Sequence, residues 1–171
     1  MIYCGIDPGI TGALVGVDED KNVLFCFDTP SKKIKEDGNR YDGIEMGKII
    51  RWTADYAYLR GHNIAYIIER VGVMPRDGRV AAFSFGEGFG LWKGTLNGAK
   101  IPYGVVLPIV WKRSYGLIGK EKNASTELAR QLYPEFGTTH LKRIKDHNRA
   151  EALLLARYGC CLLYTSDAAD E

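Results

Sequence analysis

The chain has 171 residues, 46% apolar and 26% charged, with a net charge of +2. That is the length and composition of one folded domain, and it excludes a disordered or collagenous chain. It contains no run of about 18 uncharged apolar residues that could span a membrane, and residues 1–9 lack the basic, apolar, small-residue layout of a signal peptide.

Residues 2–6 form a short apolar run stopped by Asp7-Pro8-Gly9, which reads as a first strand ending in turn chemistry. Residues 13–17 and 23–27 are two further strands separated by the polar turn 18–22, and such short connections suit an antiparallel meander. Residues 28–43 are polar, carry Pro30, Gly38 and Gly43, and read as a surface loop. Met46, Ile49, Ile50, Thr53 and Ala57 then recur at helical spacing, predicting an amphipathic helix over 44–60 closed by Gly61. Residues 63–71 are β-branched and aromatic, as a buried strand requires. A right-handed crossover through the helix could return this fourth strand beside the first, although nothing in the sequence compels that pairing.

Residues 80–98 read as a helix despite Gly86, Gly90, Gly94 and Gly98 at a four-residue period. Each glycine costs a helix about 1 kcal/mol relative to alanine. The stripe therefore implies close approach to another backbone, either within the domain or across a dimer. Residues 101–107 form a fifth strand ended by Pro108. Helices are expected over 121–133, stopped by Pro134, and over 146–158. The fold class is thus α/β: a five-stranded mixed sheet, with strands one to three an antiparallel meander and strands four and five parallel, flanked by helices. Residues 161–171 break every earlier pattern, and one back-translation of them resembles the transposon end used to prepare sequencing libraries. We expect a domain over 1–160 and a non-native tail over 161–171, on a gene truncated near Cys160.

The charge is unevenly spread. Residues 1–99 hold 12 Lys/Arg against 13 Asp/Glu, whereas residues 100–150 hold 10 against 4. The basic second half suits a polyanionic partner. Cys4, Cys26, Cys160 and Cys161 show no metal-ligand spacing, and Cys4 and Cys26 lie in apolar runs as small core residues, which fits a reducing, cytoplasmic compartment.

Three acids fall at unusual places. Asp7 closes the first strand, Glu69 interrupts the apolar run Ile67-Ile68, and Glu151 lies beside the apolar run 152–156 of the last helix. Buried carboxylates are costly unless paired or bound to a cation. If strands one and four are neighbours, Asp7 and Glu69 can converge at one end of the sheet, where an all-oxygen cluster suits a hard divalent ion. The structural alternatives are that Asp7 only braces its turn, Glu69 pairs with an arginine, and Glu151 is an exposed helix residue.

The ordered set Gly5-Ile6-Asp7-Pro8-Gly9 with Thr11-Gly12, Ile67-Ile68-Glu69-Arg70, Phe83-Ser84-Phe85-Gly86, Trp111-Lys112-Arg113 and Arg149-Ala150-Glu151-Ala152-Leu153 resembles the RuvC family of Holliday-junction resolvases, of the ribonuclease H-like superfamily, and its phage-type members above all. The matches span nearly all of residues 2–159. The resemblance implies a crossover junction endodeoxyribonuclease. It would work by two-metal phosphodiester hydrolysis with two Mg²⁺ per site, Mn²⁺ being a possible substitute, and Asp7 would bridge the ions while Glu69 and Glu151 complete their coordination. It also implies a homodimer cutting opposed strands of branched DNA symmetrically, without a nucleotide cofactor or membrane partner, in a bacterial or phage-infected host cytoplasm. Family members carry an acid or histidine three or four residues before the helix carboxylate, where this chain has Asn148 and His147, with Asp146 five back. Positions 147 and 151 share a helical face, about 400° apart at roughly 100° per residue. His147 is therefore preferred as the fourth group, while Asp146 remains open as a catalytic and metal-binding residue or as an N-cap.

Lys112, Arg113, Lys120 and Lys122 flank the loop after strand five, where the family binds junction phosphates, and Arg76 lies in the 75–78 loop. Junction-probing members carry an aromatic residue shortly after the strand-four glutamate; here Val71-Gly72-Val73-Met74 stands there, leaving Met74 or the 75–78 loop to wedge instead. Three other readings are open. A nuclease acting on forks or RNA would share the metal chemistry, and a non-catalytic nucleic-acid-binding descendant would not need all three acids. A fragment of an actin-like or sugar-kinase ATPase would need a second Asp-x-Gly strand and an adenosine motif, which this sequence lacks.

Overall fold

The computed structural model describes residues 1–35, 38–72, 78–121 and 123–167, with side chains through Leu162. Strands β1 (Ile2–Asp7), β2 (Ala13–Val17) and β3 (Val23–Asp28) form the expected antiparallel meander. Two further strands, β4 (Ser31–Ile34) and β5 (Gly38–Tyr41), pair as a separate hairpin before α1 (Gly43–Tyr58). The chain then crosses to β6 (Ile64–Glu69), which lies parallel to β1, and through α2 (Arg79–Gly98) to β7 (Tyr103–Val106), parallel to β6. The five-stranded sheet has the order β3-β2-β1-β6-β7. Helices α3 (Pro108–Ser114), α4 (Ala124–Leu132), α5 (Pro134–His140) and α6 (His147–Asp167) follow, with a 3₁₀ turn at Ile144–Asp146 ahead of the last. Among the described residues no helix is long and apolar enough to cross a membrane.

Strand periodicity sorts the core into two layers. Ile2, Cys4 and Ile6 of β1 face a cluster containing Met46, Ile50, Trp92 and Leu96 from α1 and α2. Tyr3 faces the opposite cluster, built on Ala150, Ala152–Ala156 and Trp111. Gly5 lies on this second face. A Cβ there would overlap the Ala152 carbonyl and the Ala156 amide nitrogen, so α6 rests directly on the β1 backbone. The absence of one side chain sets how closely the last helix approaches the first strand.

Three expectations change. Residues 28–43 contain the β4–β5 hairpin rather than only loop; β4 is exposed throughout, so no apolar alternation marks it. Pro108 and Pro134 stand at the first turns of α3 and α5 rather than simply ending what precedes them. Proline suits that position because its missing N–H would be unpaired there anyway. The glycine stripe is not an internal packing seam either: a Cβ at Gly86, Gly90, Gly94 or Gly98 would meet open space. The glycine that α2 needs is Gly88, off the stripe, where a Cβ would strike the Pro8 carbonyl and the Tyr41 ring.

Candidate active site

The parity that builds the core also places the acids. Asp7 shares the β1 face of Tyr3 and Gly5, and Glu69 shares the β6 face of Ala65 and Ile67, which pack with the α6 cluster. The β1–β6 register pairs Ile6 with Ile68, so the next step sets Asp7 and Glu69 at the same ends of adjacent parallel strands. Because α6 lies on Gly5, its first turns carry Glu151 into electrostatic reach of both.

Burial dominates the ionisation of the strand acids. Removal from water pushes Asp7 up to about 6, aided by the charge of Glu151 and opposed by the Gly9 N–H donating to Oδ1 at 3.1 Å and by His147 and Lys112. Burial pushes Glu69 up to about 7, with Glu151 and Asp7 adding to the rise and Lys112 and Trp111 opposing it. The Trp111 indole N–H donates to Glu69 Oε2 at 2.6 Å. The Lys112 ammonium donates to Glu151 Oε1 at 2.8 Å, and the Ser125 hydroxyl donates to the same oxygen at 3.1 Å.

These shifts set a pH dependence in the metal-free protein. The folded state holds protons that the unfolded chain, with ordinary carboxylate values of 3.8 and 4.5, releases earlier. The stabilisation is complete below about pH 4 and is lost as pH climbs to about 7. Thermal melts of the metal-free protein should lose stability across that window. Asp7→Asn keeps an acceptor for the Gly9 N–H and carries no charge, so it should flatten the slope and raise Tm by several degrees at pH 7.5.

All three acids offer hard oxygen donors, and Asp7 and Glu69 stand half-buried on adjacent strands with insufficient positive charge. That donor chemistry fits a divalent cation of the magnesium type. The side chains do not stand as a closed cage, however: among the described residues no group of three His, Cys, Asp or Glu is gathered to hold an ion, and Lys112 supplies the positive charge at Glu151.

The other sequence candidates divide. His147 opens α6, and its charge acts on Asp7. Asp146 is not turned to the cluster: 3% exposed in the 3₁₀ turn, it accepts from the Arg143 guanidinium at 2.8 and 3.0 Å and from the Arg143 backbone N–H at 2.8 Å, with Arg149 at 3.8 Å. Burial raises its carboxyl, but these arginine contacts outweigh it and hold the group below the usual range. Held by these arginines, Asp146 braces the entry to α6 in this structure. Lys112 likewise sits on Glu151 instead of standing free for a phosphate. Arg113 and Lys120 are exposed. Lys122, Arg76 and Met74 lie outside the described residues.

Three contacts were missed in the sequence. Trp111 and Ser125 position Glu69 and Glu151. Asn148 donates its amide to the Thr11 carbonyl at 2.6 Å and the Thr11 hydroxyl at 2.8 Å, fastening the first turn of α6 to the loop after Asp7. Trp111 was legible only as part of a motif, and Asn148 only as the residue three before Glu151. Trp111→Phe should keep the fold and remove the donor to Glu69. A hydrogen bond to a charged group contributes about 1.5–3 kcal/mol, so its loss should push the Glu69 carboxyl higher still, read as an upward shift in its NMR titration.

No family model matches the sequence. The structure of Thermus thermophilus RuvC in complex with a Holliday junction substrate superposes with a TM-score of 0.62 at 20% identity, covering 96% of each chain. The fold is that of RuvC. A second Thermus thermophilus RuvC structure gives the same TM-score of 0.62 at 19% identity over 97% of each chain. The RuvC fold is ribonuclease H-like, which accords with the sheet order and the crossing of α6 over β1. Among curated proteins, the chloroplastic Holliday junction resolvase MOC1 of Chlamydomonas reinhardtii is 39% identical over 98 residues, which are 56% of this chain. The match spans 11% of that relative's length.

Proposed function

We propose that this protein is a divalent-metal-dependent endodeoxyribonuclease that resolves four-way DNA junctions by paired nicks. The observation that supports the reading is that Asp7, Glu69 and Glu151 lie within electrostatic reach of one another, carried by two parallel strands and the helix laid across them. The RuvC fold and the likeness to a junction resolvase support the choice of DNA junctions over forks or RNA.

In this reading Asp7, Glu69 and Glu151 would hold two Mg²⁺ ions, and the chemistry these would supply is activation of water and stabilisation of a leaving oxygen. The chain's own residues prepare the site. Trp111 and Ser125 fix the rotamers of Glu69 and Glu151. Lys112 neutralises Glu151 in the absence of metal and becomes available to the DNA phosphate once that carboxylate is otherwise engaged. His147, at the start of α6, is within electrostatic reach of Asp7.

Symmetric cutting needs two copies. The free face of α2 supports such a pairing: Val80 is 85% and Phe83 68% exposed, and the adjoining Gly86 and Gly90 leave space for another backbone. Gly86→Arg with Gly90→Arg should leave a folded monomer by sedimentation and abolish paired cutting; an unchanged dimer would remove α2 as the contact.

The deciding experiment offers a four-way junction, a Y-fork, a linear duplex and an RNA–DNA hybrid to the protein in Mg²⁺. Symmetric nicks in the junction alone are expected. Equal cutting of linear duplex would overturn the resolvase reading, and binding without cutting would favour a non-catalytic descendant.

A further inference from the structure

A cavity of about 540 Å³ opens between the start of α4 and residues 142–147. Asn123, Thr126 and Glu127 line it from α4, and Lys142, Lys145 and His147 from the segment that leads into α6. His147 links it to the candidate active site, lining the cavity while acting electrostatically on Asp7.

The charge of this cavity is unspent. Arg130 and Arg143, also in its lining, are committed to the Leu141 carbonyl and to Asp146. Among the described residues Lys142 and Lys145 have no hydrogen-bond or ion-pair partner, and both are exposed. Glu127, the carboxylate in the lining, already accepts from the Asn123 amide at 2.7 Å. Between the two lysines Ile144 is 98% exposed, fixed in a 3₁₀ turn whose backbone is capped by Arg143 and Asp146. A rigid apolar tip between two unpaired ammonium groups is poorly placed in water. It is well suited to a strand that offers phosphates on either side of an unstacked base, where apolar side chains insert between base steps.

We infer that Lys142 and Lys145 grip the phosphodiester backbone of the DNA strand that leaves the catalytic carboxylates, with Ile144 pressed against an unstacked base between them. The inference rests on the nuclease reading above and adds a strand-binding site to it.

The test uses the full chain and a labelled four-way junction, with calcium in place of magnesium so that binding is read without cutting. Each lysine–phosphate contact contributes about 0.9 to the slope of log affinity against log salt. Lys142→Gln with Lys145→Gln should therefore lower that slope by about 1.8, whereas Lys100→Gln, remote from the site, should leave it unchanged. Ile144→Ala should keep the slope and reduce the fluorescence gain of 2-aminopurine placed at the branch. An unchanged slope in the double variant, with the parent still binding the junction, would overturn this inference alone. Inorganic phosphate displacing the junction beyond its effect on ionic strength would reassign the cavity to free phosphate, and overturn it too. No junction binding by the parent protein would overturn both this inference and the nuclease reading.

Discussion

Asp7→Asn should abolish strand cutting by roughly 10³-fold or more while junction binding persists. Asp7 ends the central strand, and its charge is poorly accommodated without a cation, burial raising it to about 6. Metal ions contribute several kcal/mol of charge stabilisation in phosphoryl chemistry, and each 1.4 kcal/mol is about tenfold in rate. The amide keeps an oxygen for the Gly9 N–H, so the turn and the fold survive. A single-turnover assay in Mg²⁺, paired with a binding assay and a melt, separates the two effects. Cutting retained within tenfold would remove Asp7 from the catalytic centre.

The second large effect lies away from any charge. Gly5→Ala drives a methyl group into the Ala152 carbonyl and the Ala156 amide nitrogen. Both are helix backbone, so no rotamer can relieve the overlap, and α6 must lift or the sheet must bend. Overpacking a core costs about 1–3 kcal/mol even where side chains can adjust, and about 1 kcal/mol corresponds to roughly 2–4 °C in Tm at this size. A Tm lower by roughly 5–10 °C is expected, together with lost cutting, because Glu151 travels with α6. Gly90→Ala is the contrasting change. A Cβ there meets nothing, so the gain in helix propensity, up to about 1 kcal/mol, should appear as equal or greater stability. Equal Tm values for the Gly5 variant and the parent would contradict the close approach of α6.

Much of this architecture was legible because its signals are periodic and local. The meander of β1–β3, the crossover through α1 and the parallel β6 and β7 followed from apolar runs and turn residues. What the runs could not decide was the pairing of β1 with β6, since register depends on tertiary packing rather than on either strand alone. The hairpin β4–β5 escaped because its strands bury little. Helices α3 and α5 escaped because a proline that looks like a stop is equally a start. The glycine period in α2 was visible, but its meaning was not: the residue under steric constraint is Gly88, which falls outside the period.

The candidate site divides the same way. Acids at apolar positions are conspicuous in a sequence, and Asp7, Glu69 and Glu151 lie within electrostatic reach of one another, although they are not gathered closely enough to hold an ion. Their supporting contacts are not conspicuous, because Trp111, Ser125 and Asn148 act through tertiary hydrogen bonds between segments distant in the chain. Asp146 shows the limit most clearly. Its position near the start of α6 admits either a ligand or a brace, and the choice is made by Arg143 and Arg149, whose direction depends on how the 3₁₀ turn folds.

The Asn148–Thr11 clasp joins residues 137 positions apart in the chain. Synthesis delivers Asp7 and Glu69 well before Glu151. A nascent chain therefore carries its first two acids without the third, and fraying of α6 returns a folded molecule to that two-acid state. The three-acid arrangement is in this way completed late, and it depends on the last helix staying seated on β1.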